Sequence, residues 1–213
     1  MKKLIALLLP LLLAPFVTLA ASSSMDFKEG ASYQLILPQQ PTSDPNRVEV
    51  VELFWYGCPH CHRFQPFVER WLKTLPENVN YVRLPAILRE NWTLHAKAFY
   101  TAEALGVLDK THAALFNAIH NQKRRLDTEE KLFEFYAEQG VDMTEFRKVF
   151  NSFSTDSKVR RARLMTQRYD TQGTPSVIVN GKYRIDPGMA QGDFATMIKI
   201  IDFLVNKDNK NKG

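Results

Sequence analysis

The sequence predicts an α/β fold interrupted by an all-helical insertion. Three observations carry this. A strand–helix–strand pattern runs from residue 48 to 84, residues 90–169 read as helix throughout, and a strand pair followed by a helix returns after residue 175.

Each element has its own signal. Residues 22–30 are polar and expected to be mobile, and 33–37 make a short strand candidate. Residues 38–46 hold Pro38, Pro41 and Pro45 and read as a loop. The β-rich apolar run 48–55 suits a strand buried on both faces. A helix is expected over 59–74, with Phe64, Phe67, Val68, Trp71 and Leu75 at helical spacing and a kink at Pro66. Residues 80–84 give the next strand. In the insertion, a first helix over 92–105 stops at Gly106, and a second starts near Asp109 and carries Leu115, Phe116 and Ile119. A third starts at Asp127 with Glu130 at capping-box spacing and stops at Gly140. A fourth starts at Asp142, with Met143, Phe146, Val149, Phe150 and Phe153 as its stripe, and a fifth covers 155–169. Strands 176–179 and 182–185 flank the hairpin turn Asn180-Gly181. A last helix over 193–205 aligns Phe194, Met197, Ile198, Ile201 and Leu204 on one face. The Lys/Asn-rich residues 206–213 read as a disordered tail.

Composition is that of a soluble globular chain, 45% hydrophobic and 24% charged. The N-terminus stands apart. Lys2 and Lys3 precede an apolar run over 4–17 broken by Pro10 and Pro15, then Thr18-Leu19-Ala20. This reads as a signal peptide, residues 1–20, and the run is too short and too interrupted for a good membrane span. No cysteine follows to take a lipid, and no second long apolar stretch occurs. Without Lys2 and Lys3, the 28 basic residues fall to 26 against 23 acidic ones, leaving +3. That bias is too weak to imply nucleic acid. Arg160, Arg161, Arg163 and Arg168 read as an exposed helix face.

The chain has two cysteines, Cys58 and Cys61, and export would place them where disulfides persist. A bridge across two residues removes little chain entropy, so the pair suits a redox couple better than a staple. It lies at a strand-to-helix junction, where unpaired N–H groups and the positive dipole end stabilise a thiolate on Cys58. Cys61, one turn on, is the shielded partner. Pro59 fits the first helical position. The His60 ring is expected to add a positive or polarisable group close to the Cys58 sulfur. Two other readings stay open: a structural bridge, and metal binding through Cys58, Cys61 and His60 or His62. No second Cys/His cluster completes a four-ligand site, so no metal is assigned. His62 is expected at the surface.

Beyond the CxxC, the chain resembles the periplasmic disulfide oxidase family called DsbA. The matching residues are Phe54-Trp55-Tyr56-Gly57-Cys58-Pro59-His60-Cys61, Ala104-Leu105-Gly106-Val107 with Asp109-Lys110, Asn151-Ser152-Phe153, Gly173-Thr174-Pro175 and Val179-Asn180-Gly181-Lys182-Tyr183. The resemblance implies a thioredoxin-like fold with an inserted all-helical domain. Residues 21–89 and 170–205 form the thioredoxin-like part, and 90–169 the insertion. It also implies a depressed Cys58 pKa and an oxidising couple, both known of this family. Pro175 is then a cis-proline against the CxxC, and Thr174 pairs through its backbone with an extended substrate peptide. Thr174 stands where the best-known members carry valine.

Glu52 lies inside the apolar strand, where an acid needs a task or a partner. The resemblance places it beneath the disulfide, moving the Cys61 proton. A second acid found in some members is here Gln65, which weakens any buried charge network. Phe99 and Met189, the latter within 187–191, are candidates for a substrate groove, against core packing for the first and a plain loop for the second. The resemblance implies a monomeric dithiol oxidase acting on reduced exported polypeptides in the periplasm. A quinone-linked membrane protein of DsbB type would reoxidise it, with no cofactor beyond the Cys58–Cys61 disulfide. An isomerase or reductase on the same fold, and a periplasmic metal-binding module, are the competing readings.

Overall fold

A computed structural model describes residues 26–210. The expected signal peptide lies outside the described residues. The chain begins with β1 (Gln34–Leu35), β2 (Val48–Phe54), α1 (Pro59–Leu72) and β3 (Val79–Pro85). A 3-10 turn (Glu90–Trp92) then leads into α2 (Thr93–Ala104), α3 (Leu108–His120), α4 (Glu129–Glu138), α5 (Met143–Phe150) and α6 (Phe153–Arg168). The return consists of β4 (Ser176–Val179), β5 (Tyr183–Ile185) and α7 (Phe194–Lys210). This is an α/β sheet with a helical insertion between β3 and β4.

The sheet order is β1-β5-β4-β2-β3. Only β2 and β3 are parallel; β4 runs antiparallel to β2, β5 to β4, and β1 to β5. Every residue of β2 is buried, Glu49 and Glu52 included, as in a strand covered on both faces. Alternation sorts its side chains. Val48 and Val50 join Phe64, Val68 and Trp71 of α1 and Met197, Ile201 and Leu204 of α7. Val51 and Leu53 face the other way, onto Met165 and Ile178. A third cluster fills the insertion and reaches Phe54, Tyr56, Cys58 and Cys61. The start of α1 therefore sits on the seam between sheet and insertion.

Several local expectations are corrected. Phe153 does not extend the α5 stripe. It opens α6, capped by Ser152 accepting from Thr155 N at 3.2 Å, and is 80% exposed. The α4 cap is Thr128, not Asp127; Asp127 pairs instead with Arg125 and Lys131, both at 2.9 Å. Asp142 caps α5 as expected. Helix α1 carries Pro66 inside its span, as the sequence expects. The last helix runs to Lys210, where a disordered tail from 206 was expected. Buried Asp208 holds that end by accepting from Asn180 Nδ2, with Lys182 3.8 Å away. Near the start, Phe27 packs edge-on against Phe203 at 5.6 Å rather than lying free. At the β4–β5 hairpin, Asn180 and Gly181 both have positive φ (52° and 63°). A side chain at 181 would run into the Gln40 carbonyl, so glycine is required there twice over.

Candidate active site

Strand β2 ends under a short loop, and Cys58 is the N-cap residue of α1 (φ −88°, ψ 115°) with Pro59 in the first turn. Gly57 is demanded by crowding: a Cβ there would enter the Trp55 indole, itself stacked on Trp92 at 4.4 Å. His120 Nε2 donates to Tyr56 O at 2.7 Å and ties the loop to α3. Cys58 Sγ accepts from Cys61 N at 3.4 Å, and the Cys58 thiol lies 3.2 Å from Thr174 O, its acceptor. The Thr174–Pro175 bond is cis, and Pro175 is buried against this site.

The two thiols differ in environment. The Cys61 thiol donates toward Cys58, the largest cause holding the Cys58 pKa at about 5. Partial burial opposes this; the Thr174 side chain and the backbone N–H groups of Cys61 and His60 add to it. Cys61 is fully buried, and desolvation followed by the neighbouring Cys58 pushes its thiol well above the ordinary range. A thiolate is thus available on the outer sulfur while the inner one stays protonated.

Beneath α1 lies a polar cluster that the sequence did not reveal as a unit. Glu52 is completely buried. Its Oε1 accepts from Gln65 Nε2 at 2.9 Å, its Oε2 accepts from the Tyr81 hydroxyl, and Arg83 Nε is 4.0 Å away. Burial raises the Glu52 pKa, against the pull of Tyr81, Arg83 and Gln65. Gln65 also bonds His112 at 3.3 Å, and His112 bonds the Tyr56 hydroxyl at 2.8 Å. Gln65 therefore connects the cluster rather than interrupting it. His112 was missed, although it shares the apolar face of α3 with Leu115 and Phe116. A polar residue on a buried stripe is the usable signal, since burial demands a partner. Tyr81 and Arg83 alternate on β3, with Arg83 directly opposite Glu52.

Other candidates fall differently. The His60 ring is exposed and turned onto Arg63, whose Nη2 is 3.0 Å from His60 Nδ1; only its backbone N–H reaches the thiolate. His62 is half-buried and stacks on His120 at 4.9 Å. Phe99 lines no groove. It is 1% exposed, packed edge-on to Phe54 at 5.4 Å, because the apolar face of α2 fills the seam core. Met189 is half-buried in the turn after β5, where Asp186 caps its N–H. Among the described residues, no three His, Cys, Asp or Glu side chains group closely enough to hold a metal.

Comparison with known proteins agrees with this geometry. The model of the DSBA-like thioredoxin domain family matches residues 74–198. The thiol:disulfide interchange protein DsbA of Pseudomonas aeruginosa is 40% identical over 88% of this chain and 89% of its own. The chain belongs to the DsbA family. The DsbA of Burkholderia cepacia is 38% identical over the full length of both chains. The crystal structure of P. aeruginosa DsbA superposes with a TM-score of 0.84 at 39% identity, covering 89% of this chain and 98% of that one. DsbA from Xylella fastidiosa gives a TM-score of 0.78 at 30% identity, covering 84% and 96%. The fold is thus the DsbA variant of the thioredoxin fold, and the protein is a thiol:disulfide oxidoreductase of the dithiol oxidase type. The depressed Cys58 pKa is a known trait of DsbA proteins and here has a local cause.

Proposed function

We propose that this DsbA family member oxidises reduced polypeptides exported to the periplasm, using the Cys58–Cys61 disulfide as its whole redox equipment. The asymmetry between the two thiols carries the reading. A substrate thiolate attacks Cys58 Sγ, the Cys58–Cys61 bond breaks, and the Cys61 sulfur leaves with the electron pair. Cys61 sits where a thiolate is poorly solvated, so it takes up a proton, for which Glu52 is the assigned donor. A second substrate thiolate then attacks the substrate sulfur and expels the Cys58 thiolate. That last step is favoured because Cys58 is a good leaving group.

Thr174 offers its backbone to an extended substrate beside the sulfur, and Pro175 leaves that edge without a donor. Met189, half-buried in the turn after β5, is proposed as a further substrate contact. A quinone-linked membrane protein of DsbB type is the assigned oxidant. The test uses the disulfide form and a reduced two-cysteine peptide. One peptide disulfide should form per molecule of protein, and Cys61→Ala should be trapped at Cys58 by a peptide whose single cysteine is activated as a thionitrobenzoate mixed disulfide, the Cys58 thiolate taking the peptide sulfur and thionitrobenzoate leaving. Faster transfer of the same activated peptide to Cys61 in Cys58→Ala than to Cys58 in Cys61→Ala would reverse the roles.

A further inference from the structure

Tyr56, His112, Gln65 and Glu52 form one continuous row of hydrogen bonds beneath the first turns of α1, and all four are buried. Chemistry fixes its direction. Gln65 Oε1 only accepts, so His112 Nε2 carries the hydrogen in their 3.3 Å bond. A neutral imidazole with its hydrogen on Nε2 has a bare Nδ1, so the Tyr56 hydroxyl donates to it at 2.8 Å. With its oxygen so engaged, the Gln65 amide has its NH2 left for Glu52. Each donor in the row points toward the carboxyl group.

We propose that Gln65 and His112 are positioning residues that lock this one-way row onto Glu52 and hold it as the carboxylate that accepts the Cys61 proton during reoxidation. An unlocked amide would turn its oxygen to a protonated Glu52 and favour the acid. Locked, it offers only N–H, and the acid form loses that choice. Burial keeps His112 neutral, its pKa pushed down to about 3, so the lock persists at neutral pH. Gln65 lies one helical turn after Cys61 on the same face of α1. The other titratable or charged groups facing Glu52 are Tyr81 and Arg83 of β3 and Tyr56. The nearby residues Val177 of β4 and Ile198 and Ile201 of α7 carry none.

The step balances. The Cys58 thiolate attacks an oxidant disulfide and forms a mixed disulfide. Cys61 gives its proton to Glu52, its sulfur attacks Cys58 Sγ, and the oxidant's thiolate leaves with the electron pair. This rests on the reading of Glu52 as the Cys61 proton partner. The experiment therefore has two arms. Reduced protein is mixed with oxidised glutathione, and closure of the glutathione–Cys58 disulfide is timed against pH. In parallel, the Glu52 carboxyl is titrated by carbon-13 NMR. In both Gln65→Leu and His112→Phe, the closure profile and the Glu52 titration should move upward together. The expected shift is roughly one to two pH units, the worth of one hydrogen bond to a charged group. The Cys58 titration should stay in place. An unmoved Glu52 titration in both variants would overturn the lock. An unmoved closure profile in Glu52→Gln would instead overturn the role of Glu52.

Discussion

At the scale of single residues, Cys58 and Cys61 are separated by environment more than by sequence. Cys58 is held at about 5, while burial pushes Cys61 the opposite way. Alkylation of the reduced protein at pH 6 should therefore label Cys58 alone, with a rate that halves near pH 5. Peptide mapping that finds Cys61 labelled first would contradict the assignment. His60 behaves more modestly than its place between the cysteines implies. Its ring faces Arg63 and solvent, and leucine would keep the backbone N–H that reaches the sulfur. Exposed charges contribute at most about 1 kcal/mol, so His60→Leu should raise the Cys58 pKa by less than about one unit. The potential should become slightly less oxidising. Thiolate absorbance against pH measures this, and a shift of several units would return the ring to the sulfur.

At the scale of elements, the site is a meeting of three element ends. The N-terminus of α1 supplies amide donors, the loop before β4 brings Thr174 O to 3.2 Å from Cys58 Sγ, and α3 anchors the intervening turn through His120. Pro175 occupies the loop position where any other residue would add a backbone N–H. Pro175→Thr should fold and keep both thiols, yet release substrate slowly. Mixed disulfides with exported proteins should then accumulate on non-reducing gels, disappear with reductant, depend on Cys58 and persist without Cys61. Turnover like the parent protein, with no adducts, would make 174–175 an ordinary loop.

For the whole molecule, the depressed Cys58 pKa is a statement about stability. The folded value of about 5 lies below the ordinary 9.0. The thiolate's contribution is thus fully present above pH 9 and disappears as pH falls through about 5. At pH 7 it amounts to about 3 kcal/mol in favour of the folded dithiol form. The disulfide form has no such thiolate, and its short loop restricts the unfolded chain little. The dithiol form should therefore unfold at higher denaturant than the disulfide form at pH 7, and the gap should close towards pH 4. Parallel urea titrations of the two forms across this range decide it. A gap independent of pH would remove Cys58 ionisation as the source of oxidising power.

The sequence by itself determined what depends on neighbours along the chain. The Cys58-Pro59-His60-Cys61 run at a strand–helix junction, the Asp142 cap and the Asn180-Gly181 turn all act within a few residues, so their chemistry is local. An acid at 52 inside an apolar strand also announced itself, because burial makes it expensive without partners. Identities of those partners were a different matter. Tyr81 and Arg83 come from the adjacent strand, and His112 from a helix 60 residues further on, so only strand register and the docking of α3 bring them together. Phe99 shows the same limit from the apolar side: a phenylalanine on a helix suits a groove or a core equally, and the seam between insertion and sheet chose the core. Residues 206–210 were polar enough to read as a tail, yet Asp208 found Asn180 across the fold. Such choices belong to the tertiary structure because long-range contacts, which leave no period or spacing in the chain, decide which polar groups are paired once water is gone.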